Sequence, residues 1–275
     1  MTTPIVKAVC RAMERIAPLR LAANWDNVGL LLESPIINPN RKDVMLTIDL
    51  TPEVMEETLS SNAAVVVSYH PPIFKGLKMF TLANSLQKSL LTCVAHGISI
   101  YSPHSALDSV YGGINDWLAK GVLGREENGS VKPLLDTDVG PDGAEGRLVE
   151  LVDPITMEVL VKRMKAHLNL EHILIGRSER CKPFSLIQTV AICAGSGASM
   201  LKGQAADVYL TGEMSHHDVL SAVSDGVHVM ICGHTNTERG YLPILATKLW
   251  SELVDEAGVG DVLVSVKDKD PLQVV

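Results

Sequence analysis

The chain has 275 residues, with 24 Lys and Arg against 32 Asp and Glu and a formal net charge of −8. Its 46% hydrophobic and 20% charged residues are those of a globular protein and argue against disorder, a coiled coil or a fibrous repeat. At roughly 150 residues per domain the length predicts two compact units or one large domain, and the acidic balance disfavours general nucleic-acid binding.

No apolar run approaches the ~20 residues that a membrane-spanning helix needs. Lys7, Arg11, Glu14 and Arg15 interrupt the apolar pattern at the N-terminus, which speaks against a secretory signal. Cys10, Cys93, Cys181, Cys193 and Cys232 are scattered, with no Cys-x-x-Cys, and read as reduced packing thiols. The expected compartment is the cytoplasm, with partial mitochondrial targeting left open by the arginine-containing first helix.

In chain order, Ile5, Val9, Ala12, Met13 and Ile16 predict an amphipathic helix ending before Pro18. Val44 to Leu50 reads as a buried strand. Thr51-Pro52-Glu53 then starts a helix running to about Asn62, with an N-cap, a first-turn proline and an acid. Ala64 to Ser68 is a second strand, Leu82 to His96 a helix closed by Gly97, and Ile98 to Tyr101 a third strand. This alternation predicts parallel β-α-β units.

Gly124 to Gly146, rich in Gly, Pro, Asp and Glu, is expected to be a linker between a first α/β lobe over 1–123 and a second over 147–275. Beyond it come a strand near Leu148 to Val152, a helix from Pro154 to Leu168, and strands near Thr189 to Ala194, Asp207 to Leu210 and Val227 to Cys232. A helix from about Glu238 to Ala257 and a strand at Val262 to Val266 follow.

An internal repeat links the halves. Gly97-Ile98-Ser99-Ile100 leads to His104 and, four residues on, Asp108; Gly226-Val227-His228-Val229 leads to His234 and Glu238. His-x-x-x-acid is not specific alone: acids fill 32 of 275 positions, so nine histidines give about one such pair by chance. Three occur. The third, His167 with Glu171, falls at a helix end and is expected to be a solvated pair. His104 and His234 instead follow apolar strands, and the carboxyl ends of strands are where open α/β sheets place ligands. His70, held by Pro71-Pro72 after another strand, joins them.

His70, His104, Asp108, His234 and Glu238 form a nitrogen and oxygen donor set suited to zinc, manganese or iron. One or two such cations would polarise a phosphoryl or carbonyl oxygen. Glu213, His216 and His217 follow a strand at the repeat position matching His70. They read either as proton-moving groups beside the ligands or as a polar helix start capped by Ser215. Cys193-Ala194-Gly195-Ser196-Gly197 would cradle an anion or form a tight turn, and Trp25-Asp26-Asn27-Val28-Gly29 would line a pocket or stabilise a turn. A triad of Ser102, His104 and Asp108 lacks a nucleophile elbow and ranks below metal chemistry.

These residues resemble the NGG-one-interacting-factor-three-like family, whose bacterial members are often labelled type-two homologs of GTP cyclohydrolase I. The motifs are Trp25-Asp26-Asn27-Val28-Gly29-Leu30, Tyr69-His70-Pro71-Pro72-Ile73-Phe74, Tyr101 to Asp108, Gly212 to His217 and Gly233 to Gly240. The resemblance implies an α/β fold of two intertwined similar lobes from an internal duplication, with mixed β-sheets flanked by helices. It also implies a dinuclear divalent-metal site and toroidal homo-oligomers, from dimer to hexameric ring. Carried over, the ligands are His70, Asp108, His234 and Glu238, with His104 nearby. Tyr69 stands where many members have a first histidine, so one well-held metal and a weak or absent second are expected; a phenol with a reference pKa near 10 ligates poorly. The implied function is a metal-dependent hydrolase acting on a small nucleotide-like or phosphorylated substrate, with zinc, manganese, iron and nickel undistinguished. The alternative is a metal-stabilised, transcription-associated interaction protein. A nucleic-acid role would rest on a local patch of Arg177, Arg180 and Lys182.

Overall fold

A computed structural model describes residues 3–135, 140–180, 186–256 and 258–274. The fold is mixed α/β, with two mixed sheets flanked by helices, and the chain divides into two units. The first comprises Met1–Leu107 with Tyr241–Pro271, the second Asp108–Gly240 with Leu272–Val275.

The first unit begins with α1 (Pro4–Ile16), β1 (Gly29–Leu32), β2 (Asp43–Thr47), α2 (Pro52–Ser60), β3 (Ala63–Ser68), α3 (Ser85–Ala95) and β4 (Ser99–Ser102). Thr51 caps α2 as expected, its hydroxyl accepting the Val54 N–H. Gly97, with φ 76°, closes α3 in the left-handed region. β2, β3 and β4 are parallel neighbours. Every residue of β3 is buried, as a parallel strand covered on both faces requires. α2 and α3 cover one face, where Met45, Val54, Met55, Val66, Leu90, Cys93 and Ile100 form a core cluster.

The second unit contains α4 (His104–Ser109) from Asp108 onward, then α5 (Ile114–Leu123), β5 (Gly129–Leu135), β6 (Glu145–Ile155), α6 (Met157–Leu168), β7 (Leu174–Gly176), β8 (Ile187–Ser196), α7 (Ala198–Leu201), β9 (Val208–Glu213), α8 (His216–Ser224) and β10 (His228–Ile231). The chain then returns to the first unit as α9 (Leu242–Leu253) and β11 (Val262–Val264).

The sheet orders, β1-β4-β3-β2-β11 and β5-β6-β8-β9-β10-β7, show the duplication. Each has a parallel core of three strands, β2-β3-β4 or β8-β9-β10. In each, an antiparallel strand, β1 or β7, flanks the last core strand. The intertwining lies in the helices. The helix that follows the first core, α5, packs on β6 and β8 of the second unit, and the helix that follows the second core, α9, packs on α1 and β2 of the first. Leu242, Leu245, Leu249 and Leu253 of α9 are buried at three and four residue steps, the stripe such a helix must bury.

This exchange explains why the expected boundaries at 123 and 147 differ from the observed units. A lobe read as continuous sequence assigns α5 and α9 to the wrong sheets. The expected linker over 124–146 is also corrected. Gly129–Leu135 pairs antiparallel with Glu145–Leu151, so backbone hydrogen bonding to β6 makes it a strand despite its turn-rich composition; 136–139 lie outside the described residues.

His167 is not a solvated partner of Glu171. Its ring stacks on Trp117 with centroids 4.6 Å apart, and a Cβ on Gly121 would meet it at 2.6 Å. Burial lowers its pKa below the usual histidine value, more than a hydrogen bond with the Trp117 backbone raises it. Glu171 is exposed. No helix among the described residues is long and apolar enough to cross a membrane.

Candidate metal centre

In the first unit, donors gather at the carboxyl ends of β2, β3 and β4. His70 follows β3, and its Nδ1 lies 2.9 Å from Oδ1 of Asp49, which follows β2. A proton on Nδ1 donated to Asp49 leaves Nε2 as the lone-pair atom, the arrangement by which carboxylates orient metal-ligating histidines. His104 repeats the device: its Nδ1 lies 2.8 Å from Oδ1 of Asp26, whose side chain is buried. The other Asp26 oxygen accepts the Ser105 N–H at 3.1 Å and the Ser105 hydroxyl. Burial raises the Asp26 pKa, but these hydrogen bonds outweigh it and hold the carboxyl below its usual range.

His104 has φ 27°, outside the ordinary regions for a residue bearing a Cβ, a strain costing on the order of 1–3 kcal/mol. The Asp26 contacts hold it there. The two histidine rings are 5.5 Å apart, and buried Tyr69 packs against both, 5.0 Å from His70 and 5.4 Å from His104. Trp25 and Phe74 wall the His104 ring edge-on. The Trp25 to Gly29 loop therefore supplies both a wall and the carboxylate that orients His104. The Ser102 hydroxyl donates to the Tyr69 carbonyl at 2.8 Å and is buried, so it does not serve as a triad nucleophile.

In the second unit, His234 follows β10 and Glu238 comes after a 3-10 turn over Thr235–Thr237, ahead of α9 rather than within it. Glu213, at the end of β9, places Oε1 3.1 Å from His234 Nδ1. His234 Nε2 is 3.5 Å from Oε1 of Glu238, a carboxylate only 2% exposed. Two donors each about 2.1 Å from a shared tetrahedral cation stand about 3.4 Å apart, so this spacing suits a pair of ligands.

Gly195 makes the approach possible. With φ +60° it curves past the pair, and a Cβ there would lie 2.7 Å from Glu238 Oε1 and 3.1 Å from His234 Nε2. The expected anion cradle in this segment is corrected, because its amides are already used. Gly195 N–H donates to the Thr237 hydroxyl at 2.9 Å and Gly197 N–H to the Thr211 hydroxyl at 3.0 Å. The turn is a wall of the half-site.

Asp108 belongs to this unit; buried Asn115 donates to its carbonyl at 3.1 Å and accepts the Ala194 N–H at 2.9 Å. Burial, then the charges of Asp108, Glu145 and Glu238, push the Cys193 thiol far up. Ser215 caps α8, accepting the Asp218 N–H. His216 and His217 occupy the first turn, exposed, with rings 5.4 Å apart. Lys182 lies outside the described residues, and Arg177 pairs with Glu158 at 3.1 Å.

Sequence reasoning missed Asp49 and the orienting role of Asp26. Each is an acid at a strand or turn just ahead of the site, and a search for acids at the carboxyl end of each core strand would have found Asp49. Within the second unit, the imidazole of His234 and the carboxylate of Glu238 are donors able to hold a metal ion.

The Duf34/NIF3 (NGG1p interacting factor 3) family model matches residues 4–271. A protein NIF3 homolog of Schizosaccharomyces pombe is 44% identical over 271 residues, covering 95% of each chain. A NIF3-like protein 1 of Drosophila melanogaster is 42% identical over 275 residues, covering 98% of this chain and 88% of that one. Among solved structures, a hypothetical protein of Staphylococcus aureus superposes with a TM-score of 0.79 at 24% identity, over 98% of this chain and 99% of that chain, a likeness of fold. The match of sequence over nearly the full length, with the fold it accompanies, shows that the chain belongs to the Duf34/NIF3 family.

Proposed function

We propose that the protein is a divalent-metal-dependent hydrolase acting on a small nucleotide-like or phosphorylated substrate. The observation that carries the reading is the buried Glu238 carboxylate set 3.5 Å from His234 Nε2 against a glycine that leaves room for both. His234 and Glu238 of the second unit hold one cation. In the first unit Tyr69 packs on His70 and His104 where an imidazole would otherwise stand, so a second cation is held weakly or not at all. A bound cation supplies Lewis-acid polarisation of a phosphoryl or carbonyl oxygen and acidifies water.

The chain's own groups do the rest. Asp49 and Asp26 fix the tautomers of His70 and His104, so that each presents Nε2. Glu213, 58% exposed, takes a proton from attacking water while its contact with His234 Nδ1 orients that ring. His216 and His217 pass protons to solvent. The donor set of nitrogen and oxygen admits zinc, manganese, iron or nickel. Self-association belongs to the same reading and is supported by exposed Met79, Phe80 and Leu82 in one short segment.

Glu238→Gln tests the proposal: turnover of phosphoesters and nucleotides should disappear while the circular dichroism spectrum stays native. The second reading, a metal-stabilised interaction factor, draws on the family's description as NGG1p interacting factor 3. It predicts that the same substitution lowers stability or assembly with no turnover to lose, and normal turnover in a metal-loaded Glu238→Gln protein would defeat the hydrolase.

A further inference from the structure

A cleft of about 660 Å³ opens in the first unit beside His70. Its walls fall into two kinds. Phe74, Leu86, Pro71 and Pro72 give an apolar side, while Lys267 and Lys269, arriving on the segment after β11, give a cationic side. Phe74 is 46% exposed, a large ring left open to a partner.

The lysine segment is built into place. Glu57 of α2 accepts the Ser265 hydroxyl, the Val266 N–H at 3.0 Å and the Lys267 N–H at 3.3 Å. Asp268, 8% exposed, accepts the Ile48 N–H at 3.0 Å, immediately before Asp49. The residues on either side of Asp268 are thereby fastened to the end of β2, and both ammonium groups border the same cleft. Two acids border it too. Asp49 is engaged by His70, and Glu53 is held ionised by its own helix-start N–H, then by Thr51 and the charge of Lys269. Fixed charge on the walls is therefore nearly balanced, and a cation held at His70 would tip it positive.

We propose that this cleft is the substrate pocket of the site, taking a phosphate monoester with an apolar or ring-shaped body: Lys267 and Lys269 bind the phosphate, and Phe74, Leu86 and Pro72 pack on the body. The assignment rests on the metal-dependent reading for the work done at His70, but the anion contacts belong to the lysines. An ammonium contributes a charge-assisted hydrogen bond to a phosphate oxygen, stronger than a neutral one. Ring packing adds apolar burial and orients the ester toward His70.

The test is calorimetric titration of inorganic phosphate and of phenyl phosphate into wild-type protein and a Lys267→Ala/Lys269→Ala double variant, with metal content measured on the same samples. Both lysines are exposed, so the variant should keep its melting temperature. Expected is loss of at least about tenfold in affinity for both anions in the double variant at unchanged metal content. Phe74→Ala should weaken phenyl phosphate and leave inorganic phosphate unchanged. Equal affinity in wild type and double variant, or no phosphate binding by wild type, overturns the pocket. Wild-type protein that binds phosphate through the lysines yet holds no metal leaves the pocket standing and removes the hydrolase instead.

Discussion

The two units carry the same three-strand parallel core and present different chemistry at its carboxyl end. In the first, histidines are the projecting groups and acids sit behind them: Asp49 behind His70, Asp26 behind His104. In the second, one histidine, His234, stands between two carboxylates, Glu213 and Glu238, and Gly195 is bare so that they can meet. The duplication thus preserved the scaffold, where every β3 side chain and most of β8 and β9 are buried and substitutions are costly. It diversified the loops, where polar groups are wet and tolerated. The first unit became a source of oriented imidazoles and of a cleft, the second a source of negative charge.

Five substitutions sharpen or break this contrast. The largest effect is expected at Glu238, the most buried acid of the second set: Glu238→Gln should lower metal affinity beyond the ~100-fold that marks the upper end for outer-shell changes. Equilibrium dialysis would read it, and retained affinity would mean that the carboxylate is structural. Gly195→Ala comes next. Its Cβ would press on Glu238 and His234 at a positive φ, so metal affinity should fall and stability drop by about 1–2 kcal/mol in denaturant melts. An unchanged protein would show that the close approach is unimportant.

In the first unit the orienting acids should matter less than a ligand. Asp49→Asn and Asp26→Asn are each expected to cost about 10–100-fold in metal affinity, by loosening ring orientation rather than removing a donor. If either equals Glu238→Gln, the division into projecting and supporting groups fails. The smallest effect is a pH dependence away from the site. Burial holds the His167 pKa below 6.5, so the unfolded chain takes up a proton more readily than the folded one. Stability is then full above about pH 6.5 and declines as pH falls toward the folded value. His167→Phe should flatten that slope in melting temperature against pH, and an unchanged slope would assign it to another group.

The parallel cores and the His-x-x-x-acid repeat were legible because both depend on local pattern. Val65-Val66-Val67 can hardly be other than a buried strand, and a histidine after such a strand stands at a ligand-binding end. What could not be read was non-local. β5 has the composition of a loop and becomes a strand only by pairing with β6. α9 has the periodicity of any amphipathic helix, and nothing in that periodicity says which sheet it covers. His167 resembled a solvated helix-end residue because Trp117 and Gly121, its packing partners, lie more than forty positions earlier. Asp49 was hidden for a related reason: at the end of a strand read as apolar, its purpose appears only when His70 is beside it.

The most direct test of the central claim is metal per chain by elemental analysis, on tag-free protein purified without added metal and again after reconstitution, beside Glu238→Gln. The account predicts close to one divalent ion per wild-type chain and little in the variant, with the fold of both intact. Wild-type protein that takes up no metal under either condition would contradict it.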